Sequence, residues 1–214
     1  TIKGLFACGD SSGASSHKFS SGSFTEGRIA GKAAVDFILD NNALPNFDDA
    51  IIEEMKAEML KPLALFEEHK DHSTDKDINP NFIKPKMFMF RLQKIMDEYA
   101  GGAGSSFMTS QKLLEKGLEF LTYMEEDSTK LAAEDLHELM RVWENIHRMS
   151  QAFAHVHSVM FREETRWPGY YLRTDFPNLK EDEWKCYVNC KRDPETGEFE
   201  VFKKEMIELV KLEE

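Results

Sequence analysis

"AAEDLHELMRVWENIHRMSQAFAHVHSVMFREE", residues 132–164, is the longest stretch of this chain that keeps a single period. Leu136, Leu139, Trp143, Ile146, Phe153 and Met160 recur at helical spacing within it, which lines their side chains along one face of an α-helix. Such a stripe needs other apolar faces to cover it. Two nearby stretches supply them: residues 87–99, closed by "AGGAGS" at 100–105, and residues 109–126. Together the three predict a three-helix bundle.

Toward the C-terminus the character changes after Pro168. "KCYVNCKRDPETGEFEVFKKEM", residues 185–206, alternates, and Asp193 to Gly197 offers a turn, so a β-hairpin is expected there. Toward the N-terminus, residues 71–86 hold two prolines and few apolar side chains and read as a surface loop. A helix over 48–70 carries Ile52, Met55, Met59, Leu63 and Phe66, with Pro62 expected to kink it. Before it, Ser23 and Glu26 form a capping-box pattern ahead of Ile29, Ala30, Ala33, Ala34, Phe37 and Ile38. Asn41, Asn42 and Pro45 end that helix. Residues 2–8, "IKGLFAC", read as a short buried strand. A strand needs a partner, no GxGxxG turn follows this one, and there is no initiator Met. The chain is therefore expected to be the C-terminal portion of a longer polypeptide.

The bulk numbers narrow the partners. A formal charge of −12 over 214 residues argues against a nucleic-acid backbone, while one local cationic pocket still suffices for a small anion. No apolar run approaches the length of a membrane span, and no charged-then-apolar leader is present. Three widely split cysteines, Cys8, Cys186 and Cys190, fit a reducing cytoplasm. Cys186 and Cys190 lack a third ligand nearby and read as strand residues, so no metal site is expected. His155 and His157 lie two apart on a helix and face different ways. Arg162, Arg166 and Arg173 flank Glu163, Glu164 and Asp175, which reads as an ion-pair network or as a surface near a substrate or partner.

The chemistry concentrates in residues 8–38. Ser20, Ser21, Gly22 and Ser23 fall at a helix start, where unpaired backbone N–H groups stabilise an anion or a carbonyl oxygen gaining charge. Asp10 follows a glycine at the end of the expected strand and is placed to accept hydrogen bonds from a sugar or polyol. His17 and Lys18 add a titratable donor and a positive charge. The same residues also read simply as a loop and a capped helix.

A resemblance decides between these readings. "GLFACGD" at 4–10 and "SSGSFTEGRIAGKAA" at 20–34 resemble the second FAD-contacting segment of the fumarate reductase and succinate dehydrogenase flavoproteins. Asp10 stands for the family's Glu, Gly22-Ser23-Phe24 for its Asn-Ser-Leu, and His17 and Lys18 for its substrate-binding Arg, departures that point away from dicarboxylates. "GASSHKFSSGSFTEGR" at 13–28, "FRLQKIMDEYAGG" at 90–102 and "FREETRWPGYYLRTDFPNLKEDEWKCYVNCK" at 161–191 resemble the alpha-subunit family of dissimilatory adenylylsulfate (APS) reductases. The resemblance implies a mainly α chain: a C-terminal remnant of an FAD-binding α/β domain (1–45), a helical bundle domain (46–165) and a C-terminal extension with a hairpin (166–214).

It further implies FAD as cofactor and a cytoplasmic oxidoreductase of sulfur metabolism. This enzyme reduces APS to AMP and sulfite, or runs the reverse, through a flavin–sulfite adduct. The fragment by itself is expected to be inactive. The implied catalytic residues are His17 and Lys18, facing the anionic substrate. Asp10 is expected at the ribityl or ribose hydroxyls, and Ser21, Gly22, Ser23 and Phe24 at the flavin ring. The implied partner is a beta subunit with two 4Fe–4S clusters, since the cysteines here do not make a cluster set. Trp167, Tyr170, Tyr171 and Trp184, with their arginines, are expected to be exposed and to help dock it. The competing reading is a non-catalytic helical docking module without flavin.

Overall fold

A computed structural model describes residues 2–12, 19–41, 48–75, 78–166 and 169–206. It divides into two compact units, Thr1–Ile52 and Glu53–Glu214.

The second unit is built on the expected bundle. Helices α3 (Pro85–Tyr99), α4 (Gln111–Ser128) and α5 (Leu136–Phe161) each pack against the other two. Phe88 and Leu92 of α3, Leu114, Leu121 and Met124 of α4, and Val142, Met149, Phe153 and Val156 of α5 form one buried cluster. Each helix starts where the local chemistry directs it. Pro85 opens α3 at a position that needs no N–H, so α3 begins within the stretch read as loop. Ser110 caps α4 by accepting the Leu113 N–H, and Asp135 caps α5 by accepting the Glu138 N–H at 2.8 Å. Gly117 lets α4 approach α3: a Cβ there would stand 2.9 Å from that of Tyr99. Buried Asn145 donates to the Pro85 carbonyl at 2.8 Å, fixing the start of α3 on α5. The buried Lys84 amine lies between Glu134 and Glu138, at 3.0 and 2.9 Å, and over the Phe66 ring of α2 (Asp49–His69). Pro62 sits inside α2 as read from the sequence, and its carbonyl accepts the Ala133 N–H.

The stripe on α5 departs from expectation at one end. Leu136 is 72% exposed. With Met140 and Trp143 it lines an open apolar groove whose other wall is Met55 and Met59 of α2. The hairpin is present: β3 (Cys186–Arg192) pairs antiparallel with β4 (Phe199–Glu205) across the Asp193–Gly197 turn. It lies on α5, where Phe199 stacks on Phe153 and on His157. A second, two-residue parallel pair joins β1 (Met108–Thr109) to β2 (Leu172–Arg173). Trp184, on the short helix α6 (Glu181–Trp184), is buried beneath Lys203 and edge-on to Phe161. Its indole N–H has no acceptor among the described residues. Tyr171 is half-buried and donates to the Ala100 carbonyl at 2.7 Å. These two aromatics, read from sequence as exposed docking residues, are therefore packed into the unit. Tyr170 remains exposed, and Trp167 lies outside the described residues.

In the first unit the expected buried strand is absent. Residues 2–7 are exposed and non-strand, because a ladder needs a neighbouring strand and none of the described residues offers one. The segment instead runs along α1 (Phe19–Asp40): Phe6 meets Phe37 edge-on at 6.0 Å, and Gly9 reaches Ser23. α1 buries none of its described residues, leaving Ile29, Val35, Ile38 and Leu39 more than half exposed.

Two outcomes follow for the second unit. Gly101 has φ +78°, and a Cβ there would stand 2.5 Å from the Tyr171 ring. Gly101→Ala should cost about 1–3 kcal/mol in backbone strain, with displacement of the ring adding to it. Chemical denaturation reads the difference, and an unchanged midpoint would show that turn and ring are not locked together. Burial holds His155 and His157 below the ordinary imidazole value of 6.5. Their contribution to stability is thus complete above that value and is lost as pH falls through it, because the unfolded chain takes up protons first. A denaturation series from about pH 7.5 to about pH 5.5, the range in which imidazoles titrate, should show falling stability. A double His155→Gln, His157→Gln variant should flatten the slope.

Candidate cofactor site

The residues singled out for cofactor binding lie on the N-terminal segment and on the first turns of α1, which touch through Gly9 and Ser23. Gly9, Asp10 and Ser11 form a single 3-10 turn that Ser12 closes by donating its N–H to the Gly9 carbonyl at 3.0 Å. Gly9 is buried at φ +67°, and a Cβ there would stand 3.4 Å from Ser23 Oγ. The left-handed conformation favours glycine, and the turn lies in ordinary contact with Ser23. Asp10 is exposed on this turn.

Helix α1 begins at Phe19, four residues before the capping-box reading placed its start. The first turn of α1 therefore holds Phe19, Ser20, Ser21 and Gly22, the turn whose N–H groups have no acceptor within an α-helix itself. Ser23 and Phe24 fall in the second turn, where backbone N–H groups are spent on the helix. Their side chains, with Phe19, Ser20, Gly27 and Arg28, line an open cleft along the start of α1. Phe24 is 81% exposed. Ser21 accepts the Thr25 hydroxyl on its carbonyl. His17 and Lys18, the expected catalytic pair, lie outside the described residues.

Glu26 does not cap α1. Its Oε2 accepts the Gly9 N–H at 2.8 Å and the Ser12 hydroxyl at 2.9 Å, tying the Asp10 turn to the helix. Sequence reading missed this role, because an acceptor seventeen residues from its donor leaves no local pattern while S-x-x-E leaves a strong one.

Elsewhere the tempting side chains are structural. Buried Glu164 is paired with Arg162 and Arg166 and accepts the Lys180 N–H. Although burial opposes it, these donors hold its carboxyl below the usual range. Arg173 is fully buried and joined to Asp175. The ion-pair reading of this cluster thus holds. His155 faces Tyr171 and His157 faces Phe199, so the two diverge. Cys186 and Cys190 are free thiols on β3, and burial pushes the Cys190 thiol up. No group of three possible ligands that could hold a metal occurs among the described residues, and no helix among them is long and apolar enough to cross a membrane.

No family model matches the chain. Over 98% of its length it is 47% identical to the adenylylsulfate reductase subunit alpha of Megalodesulfovibrio gigas, of which it spans 32%. The solved adenylylsulfate reductase of Archaeoglobus fulgidus superposes on 99% of the chain with a TM-score of 0.94 and 52% identity, again over 33% of that protein. A structure of adenosine-5-phosphosulfate reductase in complex with sulfite, described as a covalent adduct, aligns equally well. Quinol fumarate reductase of E. coli shares the fold, with a TM-score of 0.72 at 19% identity. The chain spans about a third of the length of each of these relatives. The resemblance carried by "HKFSSGSF" and "ETRWPGYY" is thereby borne out, and in sequence and fold the chain is homologous to the alpha subunit of adenylylsulfate reductase along that third.

Proposed function

We propose that this chain completes the riboflavin side of an FAD site in an adenylylsulfate reductase flavoprotein, which interconverts APS with AMP and sulfite. The observation that carries the proposal is the glycine turn against α1: it bears the exposed Asp10, and the neighbouring Gly9 lies against Ser23 of that helix. These groups fit the cofactor. A polyol chain needs acceptors such as Asp10. An electron-rich ring needs N–H donors such as those of a helix's first turn, here Ser20 to Gly22, with Ser20, Ser23 and Phe24 walling the cleft. When bound, FAD supplies the two-electron chemistry. The chain's own residues bind, orient and balance charge. His17 and Lys18 precede α1 in sequence and are assigned to the anionic substrate, where a positioned donor and a positive charge stabilise a developing negative charge.

The three-part division at about residues 45 and 165 belongs to the same proposal, as do a cytoplasmic setting and electron supply from an iron–sulfur subunit carrying two 4Fe–4S clusters. Support for the partner comes from the relatives' subunit naming and from the exposed Tyr170. Truncating the hairpin is no clean test of docking, because Phe199 and Trp184 are packed into the second unit.

In the full-length subunit, Asp10→Ala should lower FAD content, read by visible absorbance after gel filtration. His17→Ala should leave FAD content near wild type and cut APS turnover about 10²-fold, the scale of one lost positioned group. Wild-type turnover in that variant would remove His17 from the site. A full-length subunit free of flavin would favour the docking-module reading instead.

A further inference from the structure

We infer that Glu26 is a positioning residue for this cofactor site, setting the place of Asp10 without touching the ligand; the inference rests on the FAD reading above. The turn that carries Asp10 is short, and two of its residues are tied directly to α1 by one side chain. Residues 2–7 before it are exposed, and the turn is a single 3-10 loop with the one internal backbone bond from Ser12 to Gly9. Glu26 Oε2 lies 2.8 Å from the Gly9 nitrogen and 2.9 Å from Ser12 Oγ. Ser12 Oγ is also 3.1 Å from the Gly9 carbonyl. The hydroxyl has one proton, and the carboxylate is the stronger acceptor. One carboxylate oxygen thus grips both ends of the turn, and Asp10 sits between the two gripped residues. From the other side the turn rests on Ser23, one helical turn before Glu26, where the missing Cβ of Gly9 leaves room. Asp10, between the two tied residues, is in this way held at a fixed height along α1.

The chemistry of the grip makes a specific demand. Gly9 N–H and Ser12 O–H are both donors, so position 26 must offer an acceptor oxygen two methylenes from the backbone. Glutamine meets that demand; alanine does not, and aspartate is one methylene short. A residue that merely supported α1 would show a different order, since alanine is the better helix former.

The test uses the full-length subunit, stripped of flavin and titrated with FAD. Glu26→Ala should weaken FAD binding about tenfold or more, the scale of two charge-assisted hydrogen bonds lost from the turn. Glu26→Gln should stay within about threefold of wild type, because it restores the acceptor. Glu26→Asp should fall with alanine. The flavin visible circular dichroism should change in the alanine variant and return in the glutamine one. Unchanged FAD affinity in Glu26→Ala would overturn the inference. Equal loss in the alanine and glutamine variants would overturn it too, by making the negative charge and not the acceptor the agent. Failure of the wild-type subunit to bind FAD would instead strike the functional reading on which the inference stands.

Discussion

The buried guanidinium of Arg173 is the constraint on which the second unit turns. Its donors reach Asp175, the Val159 and Arg162 carbonyls at the end of α5, and Gln111 at the start of α4. Asp175 in turn accepts the Gln111 N–H, and although burial opposes it, Arg173 and that N–H hold its carboxyl below the usual range. A buried charge costs several kcal/mol unless its donors are placed, and here they are. The return is geometric more than energetic. The β1–β2 pair is two residues long, too short to hold itself. Arg173 fixes the register of the C-terminal segment against two helix ends at once. Glu164 repeats the device on the same segment, joining Arg162, Arg166 and the Lys180 backbone.

This division of labour explains what sequence could and could not show. Helices α3, α4 and α5 follow from apolar spacing because their cores are built from it, and the hairpin follows from alternation around a turn. Arg173 gave no sign. An Arg two residues before an Asp reads as a solvated pair, and only the folded chain reveals which arginine is enclosed. Trp184 and Tyr171 were misread for the converse reason: aromatics beside arginines resemble an interface, yet here the cations cover the rings, Lys203 lying 3.6 Å from the Trp184 centroid. Leu136 fits the stripe by spacing, but it stands in the first turn of α5, at the groove mouth.

The candidate site shows the same limit at shorter range. Asp10 stands on the turn and Ser21, Gly22, Ser23 and Phe24 in the first turns of the helix that the turn touches through Gly9, a grouping that residue types suggested and motif resemblance sharpened. The helix start itself was displaced, because the Ser23–Glu26 box is a local option that lost to a tertiary one. A glutamate side chain can satisfy its own helix or the Gly9 and Ser12 donors, not both with the same oxygen. The turn has fewer alternatives than a helix end, whose N–H groups can also donate to water.

Charge at the site is likewise a local matter. A formal charge of −12 over the whole chain opposes anions in general, yet exposed charges act over only about 8 Å at physiological ionic strength. Within that range of the start of α1 the balance is closer. The helix end contributes roughly half a positive charge, Arg28 lines the cleft, and His17 and Lys18 precede the helix in sequence. Against them stand Asp10 and Glu26. Glu26 is turned away from a purely repulsive role, since its oxygen is engaged by the Gly9 N–H and the Ser12 hydroxyl. Asp10 is then the exposed carboxylate of the turn. On the proposed reading a hydroxyl-rich ligand meets that carboxylate, while anionic groups are better placed toward the helix end. Polarity would then change along one helix, and only while the turn bearing Asp10 stays where Glu26 holds it.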